Sequence, residues 1–200
     1  MNTLQPSAST ATHASLTVNL VCHPATPCPA RLNVTVRLTP RWLTNAWGLM
    51  LTYKITGDVQ RLRVPRAVEP GQADGLWTHT CFEAFFSEPG AVAYHEFNFS
   101  PSAQWAHYRF SDERLRDECA ANLSEPVVRT ALPADDRLEL TALVAATPTP
   151  ETASALLCAP TAVLELADGS LSYWAALHPA PYPDFHARAG WSTPQRWTIL

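Results

Sequence analysis

The sequence is short of charge, and of lysine above all. Only 16% of its 200 residues are Asp, Glu, Lys or Arg, and Lys54 is the single lysine beside thirteen arginines. Soluble domains usually carry about a quarter charged residues, so a disordered chain or a coiled coil is excluded. The lysine-to-arginine skew extends over the whole chain, beside eighteen prolines, and reads as coding bias. A net charge of -4 lacks the basic excess of a nucleic-acid binder. No run approaches the roughly 18 consecutive apolar residues of a membrane span. The start, MNTLQPSASTATHASLTVNL, has neither a basic stretch nor a continuous apolar one, so no secretory signal is visible and the expected location is cytoplasmic. The five cysteines (Cys22, Cys28, Cys81, Cys119 and Cys158) are scattered, match no zinc spacing, and should stay reduced in that compartment. Asn33, Asn98 and Asn122 head Asn-x-Ser/Thr triplets, which are coincidences without export.

What the chain does have is apolar residues, 46% of the total with nineteen aromatics among them, enough for one substantial core. Residues 1–14 are aperiodic and read as a flexible tail, leaving 15–200 as one domain. From there period-two alternation recurs. Leu16, Val18 and Leu20 alternate with polar neighbours, as do Leu32, Val34, Val36 and Leu38, and then Trp47 to Ile55. Further strands are expected at 61–64, 78–86, 93–100, 105–110, 127–132, 137–145, 161–166, 171–177 and 196–199. The helical signals are a turn within 111–119, where acidic residues precede basic ones, and a short start over 151–157. Long amphipathic helices between strands are missing, which excludes a parallel α/β sheet. The expected fold is all-β: a single antiparallel β-sandwich, jelly-roll or immunoglobulin-like, of about ten strands with one or two short helices.

The central strands carry the most informative faces. Alternation puts Phe82, Ala84 and Phe86 on one side of the first, with Cys81, Glu83 and Phe85 on the other. In the second, His95, Phe97 and Phe99 oppose Tyr94, Glu96, Asn98 and Ser100. Pairing through a Glu88-Pro89-Gly90 turn brings Glu83, Glu96 and Asn98 onto one surface. That surface is either a solvated outer face or a polar ligand site, since carboxylates accept hydroxyl hydrogen bonds while rings stack on apolar faces. Trp77, His79 and Trp105 are expected to border it. The segment HPAPYPDFH, with His178, Asp184 and His186, is expected to form a wall stiffened by Pro179, Pro181 and Pro183.

Other chemistries compete for these residues. Glu83 and Glu96 could act as the carboxylate pair of a glycan hydrolase or transferase. His79, His178 and His186 could hold haem or a metal, although their spacing matches no standard ligand set and the internal Met50 sits in an ordinary strand. Cys81 near His79 has the look of a nucleophile and base, but a buried structural thiol is the simpler reading. No GxSxG, P-loop, GxGxxG or HExxH motif is present.

The runs DGLWTHTCFEAFF (74–86), YHEFNFSPSAQWAHYRF (94–110) and YWAALHPAPYPDFH (173–186) resemble those of bacterial DOMON-like domain proteins. That superfamily is related to the family 9 carbohydrate-binding modules. The resemblance implies a β-sandwich of about ten strands that binds a ligand, with sugars and haem as the superfamily's ligands. Sugar-binding relatives use tryptophans and polar groups on the ligand face, which match Trp77, Glu83, Glu96 and Asn98 here. The Met/His axial pair of haem-binding relatives has no counterpart, and those relatives are exported. The expectation is therefore a non-enzymatic domain for a small polar ligand, a sugar or sugar-containing metabolite, with no cofactor, nucleic acid or membrane partner.

Overall fold

The computed structural model describes residues 15–43, 47–117, 125–134, 136–145 and 157–191. The tail at 1–14, Cys119, Asn122, the helical start over 151–156 and the strand expected at 196–199 lie outside the described residues. Within them the chain forms twelve strands: β1 (Leu16–Cys22), β2 (Leu32–Trp42), β3 (Trp47–Gly57), β4 (Gly71–Gln72), β5 (Cys81–Ser87), β6 (Tyr94–Phe99), β7 (Gln104–Asp112), β8 (Leu115–Arg116), β9 (Val127–Ala134), β10 (Arg137–Ala145), β11 (Leu157–Glu165) and β12 (Leu171–Ala175). Helical structure among the described residues is confined to three single 3-10 turns, at Val59–Arg61, Leu76–Thr78 and Arg188–Gly190.

The all-β expectation holds, but the architecture differs from two separate antiparallel sheets. The strands form one continuous sheet in the order β4-β7-β6-β5-β11-β12-β1-β2-β3-β10-β9, with β8 added to β7, curled into a half-barrel. Strands β1 and β12 join the two halves through the pairs Val21↔Ala175 and Cys22↔Trp174. The short β4 pairs parallel to β7, and the other pairings are antiparallel. Two local expectations also change. Residues 111–119 contain no helical turn in their described part: β7 runs to Asp112 and a tight turn with Arg114 at φ 58 returns the chain as β8. Leu62 makes only an isolated bridge to Leu166, after the 3-10 turn at Val59–Arg61, where a strand at 61–64 was expected.

Curling brings the inner faces of the two halves together around one core. Val34, Val36 and Leu38 of β2, Leu51, Tyr53 and Ile55 of β3, and Leu138 and Leu140 of β10 meet Phe82, Ala84 and Phe86 of β5 and Phe97 and Phe99 of β6. These are the apolar positions of the period-two pattern, and burying them is the main stabilising contribution. The Tyr53 ring packs 4.9 Å from that of Phe82, and its hydroxyl donates to the Glu83 carbonyl at 2.5 Å. This bond ties β3 to the backbone of β5 through the middle of the core.

Tyr53→Phe keeps the ring and removes the tie. The expected cost is about 1–2 kcal/mol, read as a lower urea midpoint with an unchanged slope. An unchanged midpoint would show that the hydroxyl contributes nothing to holding the halves together.

Candidate ligand-binding cavity

Strand β5 is buried along its whole length, on both faces. Its outer face carries Phe85 into a second cluster with Tyr94, Ala106, Tyr108, Phe110, Ala159 and Trp191. Beside this cluster lies a cavity of about 400 Å³, within the range of roughly 300–1,000 Å³ common for small-ligand sites. Its floor is the polar face predicted from alternation. The β5–β6 hairpin pairs Glu83 with Asn98 and Phe85 with Glu96, so the two glutamates are diagonal neighbours on one face. The pairing of β6 with β7 sets Tyr108 opposite Glu96 and Phe110 opposite Tyr94, extending the floor outward.

The proline-rich segment supplies one wall, with Pro183, Asp184, Phe185 and His186 facing the cavity. It is fastened at several points. The Arg114 guanidinium donates to Asp184 at 2.7 Å, the Trp191 indole N–H to the Phe185 carbonyl at 2.8 Å, and the His178 ring to the Val21 carbonyl at 2.9 Å. The Tyr94 hydroxyl accepts the Arg114 backbone N–H at 3.0 Å and is hydrogen-bonded to Nδ1 of His186 at 2.7 Å. The other ring nitrogen of His186, Nε2, lies 3.7 Å from a Glu96 oxygen. A ligand hydroxyl about 2.8 Å from both atoms would bridge them. Opposite this wall, Trp77 meets the Tyr108 ring edge-on at 5.7 Å, and the Arg116 guanidinium lies 3.8 Å over that same ring. The Tyr108 hydroxyl donates to Asp74.

Burial decides the charge state of the floor. Glu83 is 3% exposed, and its carboxyl receives one weak hydrogen bond, from Thr161 at 3.4 Å. Desolvation, reinforced by the neighbouring Glu96, lifts it well above the usual carboxylate range and favours its protonated form. Desolvation also raises Glu96, but Asn98 donates to it at 2.6 Å, and Arg116 and Arg114 pull it back. His186 is pushed down to about 4 by burial and by Arg114, so the imidazole is neutral.

Five of the nine residues singled out in the sequence line the cavity: Trp77, Glu83, Glu96, Asp184 and His186. Asn98 is fully buried beneath them, holding Glu96 and accepting from the Cys81 thiol at 3.5 Å. Cys81 is a buried thiol whose pKa burial drives up, the structural role anticipated for it. Trp105 turns the other way. It pairs with Phe99 and packs against the main core, because positions 105, 107 and 109 of β7 have the opposite parity to the floor. His79 also lies apart, its Nδ1 2.8 Å from Glu165, which Arg63 holds from the other side. His178 secures the base of the wall without lining the cavity. The three histidines considered for haem or metal thus have three separate partners and do not converge, and no group of three or more potential metal ligands occurs among the described residues. Phe85, Tyr108, Phe110, Arg114, Arg116, Val163 and Tyr173 complete the lining. Parity could have found Tyr108 and Phe110, whereas the arginines were hidden by reading their hairpin as a helical turn.

No family model matches the chain, and no curated protein matches it. Among solved structures, it is similar to a protein from Bacteroides uniformis ATCC 8492 provisionally described as carbohydrate-binding. The TM-score is 0.62 at 16% identity, over 88% of this chain and 83% of that one. That likeness shows a shared fold. Family 9 carbohydrate-binding modules from Caldicellulosiruptor kristjanssonii, in complex with cellotriose and with glucose, align at TM-scores of 0.46 and 0.44 and 14% and 13% identity. They cover 79% and 78% of this chain, and 71% and 73% of their own.

The charge state of the floor has a consequence for stability. Because the folded pKa of Glu83 is raised, its contribution is fully present below the ordinary carboxylate range and is lost as pH rises through the folded value. Glu83→Gln removes that loss. The thermal midpoint of the variant relative to the parent should rise between about pH 5 and pH 8. A constant or falling difference across that window would mean that Glu83 is charged in the folded protein.

Proposed function

We propose that the cavity binds a small carbohydrate and does not transform it. The observation that carries this reading is an acidic floor and an aromatic rim meeting in one cavity of about 400 Å³. The carboxyls of Glu83 and Glu96 and Nε2 of His186 bring hydrogen-bonding donors and acceptors together in the cavity. That set matches sugar hydroxyls, each of which both donates and accepts. Trp77, Tyr108, Tyr173 and Phe185 offer ring surface to the C–H face of a pyranose. The wall is fastened before any ligand arrives, which lowers the ordering cost of binding. The fold shared with the Bacteroides protein and the sequence resemblance support the same reading.

One observation favours catalysis instead: two neighbouring carboxyls with different proton affinities, as in glycosidases. Such a pair must flank the scissile bond. Here both lie side by side on one sheet face beneath the ligand, which suits holding a sugar rather than cleaving one.

A panel of mono- and disaccharides should contain ligands that raise the thermal midpoint, as any ligand selective for the folded state does. Trp77, 39% exposed, is the stacking residue most easily removed without harming the fold. Trp77→Ala should weaken the best ligand about tenfold, or ~1.4 kcal/mol, with the unliganded midpoint nearly unchanged. Unaltered affinity would remove Trp77 from the site. Release of new reducing ends from an oligosaccharide, abolished by Glu83→Gln, would replace binding with hydrolysis.

A further inference from the structure

We propose, building on the carbohydrate reading above, that the sugar is an amino sugar whose ammonium group seats over the Glu83–Glu96 floor. The argument rests on which charges in the cavity already have partners. Arg114 is held by Asp184 at 2.7 Å. Arg116 is stacked on Tyr108 and has Asp74 at 3.7 Å. Each cation in the lining therefore has its own carboxylate.

The glutamates do not. Among the described residues, Thr161 is the one hydrogen-bond donor to the Glu83 carboxyl, and no Lys or Arg nitrogen lies within ion-pair distance of either glutamate. His186 is the nearest nitrogen cation candidate, and it is neutral. Two acids placed side by side without a cation repel each other when ionised, and burial intensifies that repulsion. A ligand ammonium supplies what the floor lacks: three N–H donors and a positive charge between two acceptors. Phe85 and Phe110 also line the cavity, and aromatic rings attract a cation placed over a face. An anionic sugar would meet Glu96, Asp184 and Asp74 with no unpaired cation to receive it.

Proton balance follows from the state of the floor. In the free site the adjacent Glu83 and Glu96 carboxyls favour holding a proton between them, because two buried carboxylates side by side repel each other. Seating an ammonium stabilises the carboxylate, so that proton leaves to solvent as the ligand enters. The net exchange is one ligand ammonium bound and one proton released. The groups facing this exchange are Glu96, His186, Asp184, Arg114 and Arg116, and the arginines limit the gain because their own charge opposes the ligand's.

The test is calorimetric titration of the full chain with glucosamine, glucose and N-acetylglucosamine at neutral pH, in two buffers of different ionisation enthalpy. Glucosamine should bind at least about tenfold tighter than the other two, with proton release that glucose does not cause. In Glu83→Gln, shown by its thermal transition to be folded, the glucosamine-to-glucose preference should fall to near one and the proton release should vanish. Glu96→Gln should reduce the preference as well. Glucose binding equal to or tighter than glucosamine, or a preference that survives Glu83→Gln, overturns the amino-sugar inference and leaves carbohydrate binding standing. If none of the three sugars binds, and the wider saccharide panel also fails, both fall together.

Discussion

Burial of β5 on both faces is the constraint on which the rest of the molecule depends. A strand in a curled sheet can leave its outer side in water, and an outward Glu83 would then be an ordinary surface carboxylate. Here Phe85 draws Tyr94, Phe110 and Trp191 over the outer face, and the loop that carries His186 follows. The same alternation that sends Phe82, Ala84 and Phe86 into the main core therefore carries Glu83 into a second, partly polar interior. Tyr53 couples the two, because its hydroxyl reaches through the core to the backbone of Glu83. Disturbing either cluster disturbs the other through one strand.

The outer interior combines an apolar cluster with a set of polar contacts. Tyr94 is central to it: the ring stacks on Phe110 at 4.8 Å, and the hydroxyl joins Arg114 to His186. Arg114 then reaches Asp184, which also accepts the His186 backbone N–H at 3.0 Å. The residue that makes this closure possible adopts the left-handed φ of 58 that non-glycine residues seldom take. A tight turn there aims the Arg114 backbone N–H at Tyr94 and its side chain at the wall. Backbone strain of this kind persists only where the surroundings hold it, and it gathers at functional sites.

Electrostatics follows from this packing. Desolvation without a paired cation raises Glu83 and favours its protonated form, while Asn98 and the two arginines moderate Glu96 next to it. His186 adds a neutral imidazole from the wall, kept neutral by the same burial. In such a low-dielectric pocket each unmatched polar group carries a desolvation cost.

Much of this was legible in the residues themselves. Period-two alternation is a local property of the chain, set by backbone geometry, so it determined the strand class, the β5–β6 hairpin and the common face of Glu83, Glu96 and Asn98. Proline spacing marked the wall. Parity misled only where it was not applied, at Trp105, and hairpin chemistry was missed where charges mimicked a helix dipole, at Arg114 and Arg116. Other features depended on residues far apart in sequence. Alternation says which side chains share a face but not what covers it, and the cover comes from Phe185, His186 and Trp191, about a hundred residues beyond β5. Whether the halves are separate sheets or one curled sheet rests on the two-residue meeting of β1 and β12. His79 and His178 were separated from His186 by their partners, Glu165 and Val21, which no local spacing reveals. Side-chain direction is written in the backbone period of each strand, whereas burial, and with it the charge of Glu83, was decided only when distant segments packed over that strand.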